Sequence, residues 1–73
     1  MTQHEIIQKY LEHIGIWKRE YEIRCLDTPY GFIGARGDRD VRDMIKKGKL
    51  EASMDGRYRI VRAKEVETTA TMF

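Results

Sequence analysis

The side chains best equipped for chemistry in this 73-residue chain are long cations: Arg36, Arg39, Arg42, Lys46, Lys47 and Lys49, then Arg57 and Arg59. A guanidinium is a planar fork that can grip guanine, or a phosphate, through two parallel hydrogen bonds. An ammonium acts on phosphate as a point charge. Such a set binds a polyanion; it does not break bonds. The groups that covalent chemistry needs are missing from the pattern. No histidine accompanies a nucleophile, and no glycine-rich phosphate loop appears. Asp38, Asp40 and Asp43 cluster, but a solvated helix accounts for them. Cys25 with His4 and His13, nine residues apart, lacks zinc-ligand spacing. The expectation is a protein with no catalytic residue, no metal and no cofactor.

Size and charge point the same way. A chain this short buries only about 60 % of the surface its unfolded form exposes, so one small domain is expected. A deep cavity for a small-molecule substrate would consume that core. With 41 % apolar residues the chain can still fold. Residues 1–33 carry four Lys/Arg against five Asp/Glu, whereas residues 34–64 carry ten against five. One half of a small domain is therefore basic, the footprint of a surface that faces a polyanion. The single cysteine excludes an intramolecular disulfide. No apolar run nears the roughly 18 residues of a membrane span, and no signal-peptide core is present. A cytoplasmic protein with no membrane partner is expected.

Elements that the pattern also specifies must position the cations. Residues 2–14 predict a helix with Ile6, Ile7, Tyr10, Leu11 and Ile14 as its apolar stripe, Thr2 and Glu5 as a capping box and Gly15 as its stop. Residues 16–26 are ambiguous. Trp17, Tyr21 and Cys25 are spaced for a helix, while Trp17, Tyr21, Ile23 and Cys25 also alternate with charged residues as in a strand. A short helix from Lys18 is the favoured reading. Thr28–Gly31 predicts a turn, after which Phe32 and Ile33 re-enter the core. Residues 38–47 predict a second helix, with Asp38 as N-cap, Gly48 as C-terminal stop, and Val41, Met44 and Ile45 buried. Strands at 50–53 and 58–62 flank Asp55-Gly56, a strong hairpin signal. Residues 65–73 are expected to be a frayed tail.

Over residues 33–62, IGARGDRDVRDMIKKGKLEASMDGRYRIVR, the chain resembles the recognition helix and wing of winged helix-turn-helix DNA-binding domains. It is most similar to the short single-domain versions of bacteria and their phages. The resemblance implies an α+β fold of three helices with a C-terminal β-hairpin wing, occupying residues 1–64. It implies double-stranded DNA as partner, in transcriptional regulation or DNA architecture. The 38–47 helix would enter the major groove, and the 54–59 wing would lie on the backbone. Arg36, Arg39 and Arg42 are then base readers or phosphate clamps, Lys46, Lys47 and Lys49 phosphate contacts, and Arg57 and Arg59 wing contacts. A homodimer is compatible with this reading.

Two other readings stay open. A winged-helix adaptor or inhibitor without DNA affinity would bind a protein partner through Trp17, Tyr30 and Phe32. An αββαββ sandwich, with strands at 17–26 and 30–34, could stack RNA bases on a sheet face. The expected core is Ile7, Leu11, Ile14, Val41, Met44, Ile45, Leu50 and Ile60, with Trp17 and Tyr21 packed on it and Cys25 buried as a small apolar residue.

Overall fold

The first helix starts as its sequence specifies. The Thr2 hydroxyl accepts from the Glu5 amide at 3.2 Å, and the Glu5 carboxylate accepts from the Thr2 amide at 2.8 Å. This reciprocal cap satisfies two amides that have no partner within the helix. In the computed structural model, which describes residues 1–64, the resulting helix α1 spans Gln3–Ile14 and ends on Gly15 at φ 61°.

Two α-helices are present among the described residues, with antiparallel sheets, so the architecture is α+β. The third helix, expected within residues 16–26, is not formed. Its place is taken by a two-residue strand, β1 (Lys18–Arg19), and one 3-10 turn, Glu20–Glu22. The reason is tertiary: β1 pairs antiparallel with a strand forty residues on, Lys18 opposite Val61 and Arg19 opposite Ile60. That ladder fixes the extended conformation that the alternation had left open. Trp17 and Tyr21, expected to pack on the core, are instead exposed. The Arg62 guanidinium lies over Trp17 at 5.1 Å, Arg19 over Tyr58 at 5.4 Å, and Tyr21 beside Tyr58 at 5.5 Å. From this segment only Ile23 is fully buried. Cys25, expected inside, is exposed at φ 49°.

Strands β2 (Leu26–Thr28) and β3 (Gly31–Ile33) then form a small hairpin across Pro29-Tyr30. The Thr28 hydroxyl locks the turn, donating to the Gly31 carbonyl at 2.6 Å and accepting from the Tyr30 amide at 3.1 Å. Ile33 enters the core as expected, but Phe32 points out and is 57 % exposed. Successive residues of a strand face opposite sides, so both could not be buried against one layer.

Helix α2 (Gly37–Lys46) begins one residue before the expected cap. Arg36 is the N-cap and makes no side-chain capping bond. Asp38 lies inside the first turn, where its Oδ1 accepts from the Arg39 amide at 2.9 Å. Close packing dictates this start: a Cβ on Gly37 would overlap the Ile23 carbonyl oxygen and crowd the Ile33 side chain. At the other end Gly48, at φ 77°, donates to Ile45 O at 3.0 Å, and Lys49 donates to Met44 O at 2.9 Å. These bonds form the expected glycine-terminated helix end.

Strands β4 (Leu50–Asp55) and β5 (Tyr58–Ala63) form the C-terminal hairpin, longer than the sequence pattern indicated. Asp55 pairs with Tyr58, so Gly56 and Arg57, not Asp55 and Gly56, are the two turn residues. Gly56 carries the positive φ, 64°, at the first turn position, as a type II′ hairpin turn requires. With β1 the hairpin makes a three-stranded sheet in the order β1-β5-β4.

The core is Ile6, Ile7, Leu11, Ile23, Ile33, Val41, Met44, Leu50 and Val61. Ile14 and Ile45, expected there, are half-buried and packed against it. Ile60 is half-buried because Val61 takes the inward position of β5, which inverts the expected strand phase. Residues 65–73, expected to fray, lie outside the described residues. No helix among the described residues is long and apolar enough to cross a membrane.

Candidate nucleic-acid interface

Helix α2 turns Val41, Met44 and Gly37 inward. At 100° per residue the opposite side carries Arg39 and Lys46, two turns apart on one line. Arg42 flanks that line on one side, and Asp43 and Lys47 flank it on the other. The two flanks have different neighbours, and this divides the predicted cluster.

On one flank, Arg42 Nε donates to Glu20 Oε1 at 3.1 Å, and Arg59 Nη1 of β5 donates to Glu20 Oε2 at 3.2 Å. A single carboxylate from the 3-10 turn thus joins the basic helix to the basic hairpin. The Glu20 side chain is only 12 % exposed, whereas those of Arg42 and Arg59 are 56 % and 47 % exposed. Between the two elements runs an open cleft of about 470 Å³, lined by Glu20, Tyr21, Arg42, Met54, Arg57, Tyr58 and Arg59. Asp38, four residues before Arg42, makes no ion pair with it among the described residues; Arg42 is held by Glu20 instead. Among the described residues Arg36, Arg39, Lys46, Lys49 and Arg57 make no ion pair.

The other flank is electrostatically spent. Lys47 Nζ sits 3.1 Å from Asp43 Oδ2, the favourable acid-first i, i+4 arrangement. The hydrogen bond from Lys47 holds the Asp43 carboxyl below the usual carboxylate range. His4 of α1 lies 3.6 Å from both Asp40 and Asp43. Lys49 lines a separate groove with Gln8, Lys9 and Lys64 on the α1 side. Of the eight predicted residues, the structure brings Arg42, Arg57 and Arg59 to one cleft and aligns Arg39 and Lys46 beside it. Lys47 and Lys49 stand apart, and Arg36 is exposed at the helix N-terminus.

Sequence reasoning missed Glu20, Met54 and Tyr58. Glu20 lay in the ambiguous segment, and its partners are 22 and 39 residues away, so no local spacing could reveal it. Met54 and Tyr58 were readable only as hairpin residues.

No protein-family model, curated protein or solved structure matches this chain.

Proposed function

We propose that this protein binds double-stranded DNA as a reduced winged helix, with α2 in the major groove and the β4–β5 turn on the adjacent backbone. The observation that carries this reading is the Arg42–Glu20–Arg59 bridge. It sets a basic helix face and a basic hairpin against one open cleft, the arrangement in which both can meet a single duplex. A major groove about 12 Å wide admits one helix. The face α2 offers it, Arg39 and Lys46 with Arg42 at the side, consists of long donors. Arg57 sits at the hairpin turn, where it reaches a phosphate or the minor groove beside the helix. The carboxylates on this helix, Asp38, Asp40 and Asp43, already face the Arg39 amide, His4 and Lys47. Transcriptional regulation or DNA architecture is the role this reading assigns.

The test is fluorescence anisotropy with random duplex at two salt concentrations. Low-salt binding that weakens steeply with salt is the expected result. Binding that survives the triple change of Arg39, Lys46 and Arg57 to alanine refutes it, as does a native protein without duplex affinity.

A second reading has its own observation. Arg19, Ile60, Tyr58 and Arg62 share the sheet face opposite Val61, and Trp17 lies under Arg62. Exposed aromatics capped by arginines suit a protein partner. Trp17, named for that role from sequence, is here, whereas Phe32 is on β3 and Tyr30 is half-buried. A Trp17→Ala variant that keeps its duplex affinity would leave this face available for such a partner.

A further inference from the structure

We infer that Glu20 is a positioning residue that makes Arg42 the sequence-reading arginine of the interface. The inference rests on the DNA reading above and deepens it.

The bond to Glu20 uses Nε of Arg42 and leaves both terminal nitrogens without a protein partner among the described residues. Those two nitrogens form the end-on fork that grips guanine O6 and N7. A carboxylate on Nε therefore holds the guanidinium from its side and leaves the reading edge free. A long arginine side chain has many rotamers, and an unrestrained one loses that freedom on binding. Arg42 is restrained before DNA arrives. The anchor is itself fixed: Glu20 stands in the 3-10 turn, its side chain is largely buried, and Arg59 holds its second oxygen at 3.2 Å. Arg39, two turns from Lys46, has no such brace among the described residues and is free to follow any phosphate.

Glu20 also works against indiscriminate binding. It sets one negative charge between two cations at the centre of the cleft, which weakens attraction to phosphate in general. Fixed geometry with reduced bulk attraction favours the matching base pair over the average one. A glutamine at this position has one acceptor oxygen and an amide nitrogen that repels the second arginine. Being neutral, it also forfeits the charge assistance of the bond to Arg42, so the brace is lost even where the oxygen still accepts.

The experiment selects duplexes from a random pool with the native protein, then titrates the best duplex and an arbitrary one with native protein, Glu20→Gln and Arg42→Ala. Arginine Nε–H relaxation by NMR is measured on the DNA-free proteins. The expected result for Glu20→Gln is that affinity for the arbitrary duplex rises while preference for the selected one falls about tenfold, with Arg42 Nε–H becoming mobile. Arg42→Ala should lose the same preference. If Glu20→Gln strengthens both duplexes equally, the carboxylate is merely a repulsive charge and the inference fails. It fails equally if Arg42→Ala keeps its preference, or if Arg42 is already mobile in the native protein. Loss of both affinities together with thermal stability would make Glu20 a fold residue and also overturn it. A native protein with no duplex affinity refutes the DNA reading itself, whatever the relaxation of Arg42 shows.

Discussion

Lys46 and Lys47 are adjacent, equally charged and on one helix, yet their neutralisation should have different effects. Lys46 shares the outer line of α2 with Arg39 and makes no ion pair among the described residues. Lys47 is bonded to Asp43 at 3.1 Å, so a phosphate would have to displace a carboxylate already in place. Each phosphate contact contributes about 0.9 to the slope of log affinity against log salt. Arg39, Lys46 and Arg57, counted alone, give a slope of about −2.7, or about 40-fold weaker binding between about 50 and about 200 mM salt. Lys46→Ala should reduce the slope to about −1.8 and the loss to about 12-fold. Lys47→Ala should leave the slope close to that of the native protein. Asp43→Asn, which frees Lys47, should steepen it towards one further contact. Anisotropy titration of one random duplex at five salt concentrations reads all four proteins. Both lysine variants lose the same formal charge, so equal slopes would mean that net charge alone governs binding, and the division of the helix into two flanks would be refuted.

Ile23→Ala should cost about 2–5 kcal/mol by urea denaturation, because Ile23 is fully buried, while Ile16→Ala, at an exposed position, should cost little. Gly37→Ala should cost about 1–3 kcal/mol, since its methyl group meets the Ile23 carbonyl; a neutral outcome would mean that α2 can withdraw from that contact. Gly56→Val should destabilise the hairpin, because φ 64° at the first turn position disfavours a β-branched residue. The Glu5 carboxyl is held below its usual range by the bonds to Thr2, and Asp43 by the bond from Lys47. Depressed carboxyl groups stabilise the fold above their unfolded pKa, and that contribution is lost as pH falls through the folded values. Stability should therefore decline below about pH 4, and carboxyl NMR should show Glu5 titrating higher in Thr2→Ala.

What was legible in the sequence was local. The Thr2–Glu5 box, the Gly15 and Gly48 ends and the Thr28–Gly31 turn each depend on residues within five positions, and each stands where the pattern put it. The buried stripe of α2, Val41 and Met44, followed from helical periodicity. The errors arose where a long-range partner decided. Trp17 and Tyr21 have helical spacing, but pairing of Lys18 with Val61 makes their segment a sheet edge. In β5, Ile60 and Val61 are both apolar, so only docking against the core could choose the inward one. Asp38 is a better capping residue than Arg36, yet the close approach of Gly37 to Ile23 sets the helix start.

The same long-range dependence hid the centre of the site. From charge counts, residues 1–33 looked like the neutral half of the molecule, and the basic half looked self-sufficient. The bridge reverses that division, because that half supplies the carboxylate on which a helix arginine and a hairpin arginine converge. Without Glu20, Arg42 and Arg59 would be like charges facing one cleft and would repel each other. With it they share one anchor, and the angle between helix and hairpin is tied to a residue of the 3-10 turn. That turn exists because β1 adds only two residues to the sheet before the chain must cross to α2, where Ile23 meets Gly37. The segment hardest to read as secondary structure is thus the one that sets the geometry of the proposed interface.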